Sequence, residues 1–356
     1  MIMEQTPKAS VVMSVYKEPL EWLHESIDSI LNQTFKDFEF IIICDNPAYK
    51  EGLECIEQYK ITDKRIKLII NEQNKGLTKS LNKGIKEAIG EYIVRMDADD
   101  YSYPQRIERQ LQFMYSHPSL VASGCYAEIM NEKGNVVGKM QTSTNIKYLR
   151  ALFPFRSPIY HPSAIIKRII DGQPFRYDEE FRYSQDYALW FKLIEKGISN
   201  LPDYLIRYRI SSNQISSLHS HSMRELDCKI RLNALNKYYV GLSDSDKNLM
   251  VCFHYLNVKA EDNKQILSLL KKTSLIKISD IDINESMRFL YMHYCYYLSN
   301  YFNLLSSIKI ALQAKDVLKI HSYKGVASVV YLKIKKIYKN VQLFFCNKIC
   351  KRTVWG

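Results

Sequence analysis

The sequence predicts an α/β fold: a Rossmann-like, mostly parallel sheet with helices on both faces, followed by a C-terminal helical region. Three observations carry this. Four short, β-branched apolar runs alternate with helical stretches over the first 100 residues, and repeated βα units of that length imply a parallel, doubly wound sheet. Each run exits into polar residues, at the strand ends where open α/β sheets place their ligands. Beyond about residue 219 the alternation stops and the pattern turns helical.

The elements follow in order. SVVMSVY (10–16) is an apolar run suited to a strand buried on both faces. Pro19 and Leu20 open a helix to about Asn32, with Leu20, Leu23, Ile27, Ile30 and Leu31 at helical spacing. FEFIIICDN (38–46) is a second strand, a polar helix ends near Tyr59, and IKLIINE (66–72) is a third strand. NKGLTKSLNKGIKEAIG (74–90) reads as a loop and a helix stopped by Gly90. EYIVRMDADD is the fourth strand with its exit turn, and Pro104 starts the next helix. Mixed structure then runs to about residue 215, including YHPSAIIK and the amphipathic SQDYALWFKLIEKG (184–197). The expected domains are 1–215 and 216–356.

Bulk composition narrows the function. The 356 residues are 46% hydrophobic and 25% charged, enough to bury a large core. Of the net charge of +12, nine units come from lysines and arginines after Val317, a stretch without Asp or Glu, which leaves +3 for the first 316 residues. Basicity confined to the tail argues against a nucleic-acid groove across the main body, and no nucleic-acid partner is expected. Eight scattered cysteines without a Cys-x-x-Cys pair fit a reducing cytoplasm. MIMEQTPKAS lacks a basic start followed by an apolar core, so no secretory leader is expected. Phe289–Ile308 is uncharged, but its His, Asn and Ser content favours a buried or interfacial helix over a membrane span.

The chemistry concentrates in RMDADDYSYPQR. Asp97, Asp99 and Asp100 crowd together directly after a strand. Carboxylates at i and i+2 leaving a strand reach one hard cation, Mn²⁺ or Mg²⁺, of the kind that also grips phosphates. An EF-hand is disfavoured, since Ser102 stands where such a loop needs glycine. Helix capping accounts for Asp100 or Ser102, but not for Asp97 and Asp99.

With these features in view, SVVMSVYKEP, IIICDN, NKGLTKSLNKGIKEAIGEYIVRMDADD and SQDYALW resemble the family 2 glycosyltransferases of the GT-A fold, over roughly residues 8–213. The subset most resembled builds bacterial O-antigen, capsule or exopolysaccharide. The resemblance implies that Ser14 and Tyr16 border the base of a nucleotide-sugar and that Asp45 binds its uracil or ribose, although a turn-forming role before Asn46-Pro47 would also suit Asp45. It implies that Asn74 and Gly76 form the loop after the third strand, where Gly76 equally suits a tight turn. It implies that Asp97 contacts the donor and the metal, that Asp99 holds the metal, and that Asp186 is the catalytic base. Gln185 stands where relatives carry a first acid, which leaves the base a neutral neighbour. Asp100, His161, Gln185 and Arg209 are further candidates for substrate contact. Arg95 and Arg106 flank the turn within reach of a phosphate, although Arg106 equally suits a pair with Glu108.

The implied reaction is inverting and metal-dependent: a hexose or N-acetylhexosamine passes from a UDP-sugar to a polyprenyl-diphosphate-linked oligosaccharide, forming a β-linkage. The tail (317–356) sets Val326, Val330, Ile334, Ile337, Val341, Phe344 and Phe345 at three- and four-residue spacing against Lys335, Lys336 and Lys339. That is a basic amphipathic helix suited to an anionic membrane surface, implying peripheral association with the inner face of the cytoplasmic membrane, although its apolar face would equally suit packing on the catalytic domain with the lysines solvated. Two other readings are weaker. A non-catalytic, membrane-associated regulatory protein on the same scaffold would not need Asp97, Asp99 and Asp186. A nucleotidyltransferase would need a Gly-rich phosphate loop where SVYKEPLEW stands.

Overall fold

The computed structural model describes residues 6–211, 220–277, 281–318, 326–327 and 329–330. The chain divides into two compact units, Met1–Leu149 with Arg156–Ile230, and Arg150–Phe155 with Arg231–Gly356. This division falls later than the expected boundary at 215, and the second unit also takes residues 150–155.

The first unit alternates as expected: β1 (Ala9–Val15), α1 (Leu20–Leu31), β2 (Phe38–Cys44), α2 (Lys50–Thr62), β3 (Ile66–Ile70), α3 (Leu77–Glu87) and β4 (Tyr92–Asp97). All seven residues of β1 and of β2 are buried, which is why these strands read as continuous apolar runs rather than alternating ones. β1 pairs in parallel with β2 and β4, and β2 with β3. All four strands therefore deliver their polar exits to one edge. The register sets Ser14 beside Asp97. Helix α3 packs closely because Gly84 faces the sheet: a Cβ there would come within 2.6 Å of Ile43 and 2.8 Å of Val12.

The chain continues through β5 (Tyr101–Ser102), α4 (Arg106–Ser116), β6 (Ala122–Met130), β7 (Val136–Met140), α5 (Ile146–Leu152), β8 (Ile165–Lys167), the small hairpin β9 (Ile169–Ile170) and β10 (Gln173–Pro174), α6 (Gln185–Gly197) and β11 (Ile198–Arg209). The main sheet runs β3-β2-β1-β4-β8-β6-β11-β5, with β7 on β6. β8 lies antiparallel between β4 and β6, and β11 returns parallel to β6 and antiparallel to β5. One apolar core, from Val11, Phe40 and Val94 to Leu111, Ile165 and Ile206, spans these strands.

The second unit holds α8 (Asp244–His254), α9 (Asn263–Ser274), α10 (Ile283–Tyr301) and α11 (Leu304–Val317), and α7 (Ser220–Tyr238) leads into it. The segment 150–155 is tied in by polar contacts. Tyr239 donates to the Ala151 carbonyl (2.7 Å) and to Ser286 (2.7 Å), and Arg231 donates to the Pro154 carbonyl (2.7 Å). Phe289–Ile308 forms the end of one helix and the start of the next, broken at Phe302 and Asn303. Among the described residues no helix is long and apolar enough to cross a membrane. Apart from 326–327 and 329–330, the expected basic amphipathic helix lies outside the described residues beyond Leu318.

Candidate active site

The acidic turn follows from the end of β4. Asp97 closes the strand, and the chain turns at once to form β5 against β11. Among the described residues, Asp97, Asp99 and Asp100 could share one metal ion, with ligand atoms within 4.8 Å of one another. Asp97 is paired with Arg95, whose side chain is only 1% exposed. Asp100 is fully buried: one carboxylate oxygen accepts the Arg209 backbone N–H (2.8 Å), and the other has no hydrogen-bond partner among the described residues. Arg209 also donates through Nε to the Asp99 carbonyl (2.7 Å), is paired with Glu25, and lies 4.9 Å from the Trp22 ring.

Burial and mutual repulsion leave these acids short of positive charge. Asp99 is pushed up to about 7, first by burial and then by the charges of Asp97 and Glu18. Asp100 is raised well above the carboxylate range by burial and its two acidic neighbours. Glu18 joins this group. Its carboxyl is raised by burial, and it senses Asp97. It is held on the β1 exit loop by the Tyr16 N–H (2.8 Å to Oε2), while Tyr49 donates to its backbone carbonyl (2.5 Å). The sequence reading missed Glu18, although SVYKEP placed it two residues beyond Tyr16. Like-charged oxygens this close, one of them an orphaned buried acceptor, fit a hard divalent cation.

The neighbouring strand ends are braced from within. Asp45 is 3% exposed. Its carboxylate accepts Asn71 Nδ2 (2.7 Å), the Lys75 N–H (2.8 Å) and the Gly76 N–H (2.8 Å). In this structure Asp45 therefore holds the loop after β3. Asn74 supports the same loop by accepting the Gly76 N–H (2.9 Å). Gly76 has φ +83, a left-handed backbone that glycine adopts without strain. Ser14 is nearly buried, whereas Tyr16 is exposed at the rim.

Asp186 lies in the first turn of α6 after Ser184. Its carboxyl is pushed up to about 6, first by burial and then by the charges of Asp227 and Asp97. Gln185 is buried beside it and brings no charge. Asp227, on α7, adds a like charge near Asp186 that no local pattern could reveal. His161 bonds Tyr177 Oη (2.8 Å), and its imidazole is held well below its ordinary value by burial and by Arg95.

Arg106 and Arg95, expected within reach of a phosphate, are both engaged with protein groups in this structure. Arg106 has no exposed surface and donates to the carbonyls of Arg95 (2.7 Å) and Pro162 (2.8 Å) and to Gln110 (3.0 Å). It ties α4 to the strand beneath the acidic turn. Arg95 is equally buried and donates to the Met96 carbonyl as well as to Asp97. Both guanidiniums support the turn from behind.

Comparison with known proteins bears on this geometry. Residues 10–172 match the family described as Glycosyl transferase family 2. An uncharacterized glycosyltransferase of Methanocaldococcus jannaschii is 38% identical over 207 residues, covering 57% of this chain and 71% of the relative. One of Haemophilus influenzae is 30% identical over 280 residues, covering 75% and 86%. The O-antigen biosynthesis glycosyltransferase WbnJ of Escherichia coli is 32% identical over 227 residues, covering 61% and 87%. Among solved structures, S. aureus TarS 1-349 in complex with UDP-GlcNAc superposes with a TM-score of 0.54 at 17% identity, covering 93% of this chain and 92% of that one. That likeness supports the GT-A-type fold.

Proposed function

The chain belongs to glycosyl transferase family 2, and from that premise we propose that it moves a hexose or N-acetylhexosamine from a UDP-sugar to a hydroxyl of a polyprenyl-diphosphate-linked oligosaccharide, with inversion to a β-linkage. The product would enter O-antigen or capsule synthesis at the inner face of the bacterial cytoplasmic membrane. The observation that carries this reading is a base, Asp186, within electrostatic reach of the Asp97–Asp99–Asp100 turn at the strand ends. The O-antigen role named for the E. coli relative, and the UDP-GlcNAc bound by the structural neighbour, support the choice of acceptor and donor.

In this mechanism Ser14, Tyr16 and Glu18 border the nucleoside, and the loop fixed by Asp45 and Asn74 frames it. Asp99 and Asp97 would hold Mn²⁺ or Mg²⁺, which when bound offsets charge on the leaving diphosphate. Arg95, Arg106 and Arg209 fix the turn that carries these acids. Asp186 removes the acceptor hydroxyl proton as that oxygen bonds to the anomeric carbon, while the bond to UDP breaks on the opposite face. Burial that lifts Asp186 to about 6 leaves it ionised at neutral pH and more basic than a solvated aspartate.

The test is thermal melting of the protein with UDP-, GDP-, CMP- and dTDP-sugars, each with and without Mn²⁺. A ligand that binds the folded state raises the melting temperature. A Mn²⁺-dependent rise with one UDP-sugar, lost in Asp99→Ala, is expected. No rise with any UDP-sugar refutes the donor assignment.

A further inference from the structure

The site has a surplus of acids, and its nearby arginines are already engaged. Asp97, Asp99, Asp100, Glu18 and Asp186 all border it, while Arg95, Arg106 and Arg209 are buried and bonded to protein groups. The backbone N–H groups of Lys75 and Gly76, which might have formed an anion cradle, point inward to Asp45. A diphosphate entering here would therefore meet few free donors on the β3–α3 side.

Arg182 stands on that side. It lies on the loop that leads into α6, four residues before Asp186, and is exposed. Its Nε and Nη2 lie 3.8 and 3.9 Å from the position that a Cβ on Gly76 would take. Its guanidinium carbon is 5.4 Å from the Tyr183 ring centre, and among the described residues it makes no hydrogen bond or ion pair. The absent side chain at Gly76 leaves the guanidinium lying against the loop. The fork of donors matches phosphate oxygens in pairs.

We propose that Arg182 is a phosphate-gripping residue, which holds the donor's diphosphate from the β3–α3 side. This rests on the UDP-sugar reading above. It also links the two halves of the reaction, because the residue that grips the leaving group stands four residues before the base, on the segment leading into α6.

The experiment is calorimetric titration of the full chain with UDP and with uridine in the presence of Mn²⁺, repeated for Arg182→Gln and Arg182→Lys. A third arm uses geranylgeranyl diphosphate, which carries the diphosphate without a nucleoside. Arg182→Gln should weaken UDP at least about tenfold and leave uridine unchanged, and Arg182→Lys should recover only part of the loss. Unchanged UDP affinity in Arg182→Gln overturns the inference, as does an equal loss for uridine, which would report a damaged loop. A loss confined to the alkyl diphosphate overturns the donor assignment and gives the guanidinium to the lipid-linked acceptor. A wild-type protein that binds no UDP overturns the donor reading together with the inference, and so separates the two failures.

Discussion

The ionisation of Asp186 offers the sharpest test of the chemistry. Its carboxyl is lifted from 3.8 to about 6, mainly by burial and further by Asp227 and Asp97. A base works in its deprotonated form, so activity should be present above about pH 6 and lost below it. About nine-tenths of the molecules would carry the active form at pH 7 and about one-tenth at pH 5. kcat/KM should therefore fall about tenfold per unit below pH 6. The same shift works against folding. Between 3.8 and about 6 the folded chain keeps a proton that the unfolded chain has lost, so this group's contribution to stability falls as pH rises through that window. The assay is UDP release from the donor identified by melting, followed from pH 4.5 to 8. Asp227→Asn removes a like charge and should move the acidic limb to lower pH without abolishing turnover. Asp186→Asn should lower turnover by ~10²–10⁴-fold with donor affinity nearly unchanged. A limb near the ordinary aspartate value would refute the buried-base argument, and full activity in Asp186→Asn would remove Asp186 from the mechanism.

Two further predictions concern the scaffold under the site. Arg106→Met leaves the carbonyls of Arg95 and Pro162 without their donor. It should cost about 3 kcal/mol of stability, read as a lower denaturation midpoint, while UDP affinity of the folded protein persists; a matching loss of UDP affinity would return Arg106 to the binding site. Gly90→Ala would set a Cβ 2.6 Å from the backbone of both Ala9 and Ser10. β1 cannot yield there without loosening the sheet, so a loss of about 1–3 kcal/mol is expected, and an unchanged midpoint would show that the approach is looser than described.

The parts of the site legible in the sequence are those that sit on strand ends. A strand buried on both faces is a run of apolar residues, and its first polar residue marks the exit edge, which is where the structure places Asp45 and Asp97. What the sequence concealed depends on partners far along the chain. Arg106 beside an acidic turn reads the same whether it faces a ligand or a carbonyl, and the Pro162 carbonyl that claims it comes from a single 3-10 turn, His161–Ser163, too short to show a period. The three donors to Asp45 all come from the loop after β3, a brace that its place at a strand end does not reveal. Asp227 falls in the 216–356 region that the sequence reading gives to the second domain, whereas the structure keeps it in the first unit, so the charge it adds near Asp186 could not be anticipated from Gln185. The antiparallel insertion of β8 between β4 and β6 was equally hidden, because three residues carry too short a pattern to show pairing.

The contacts of Arg209 set an order on the making of the protein. Chains emerge from the ribosome N-terminus first, so β1 to β4 can pair while the rest of the chain is still being made. The turn after β4 is held by a residue from the end of β11: the Arg209 backbone N–H fixes Asp100, and its side chain fixes the Asp99 carbonyl. Until that strand arrives, the crowded acids hang from a finished strand edge without their brace. Whatever cation the turn takes, the nascent chain acquires a fixed place for it only when synthesis of this unit is nearly done. A fragment stopped before β11 would lack the Arg209 contacts that fix Asp99 and Asp100.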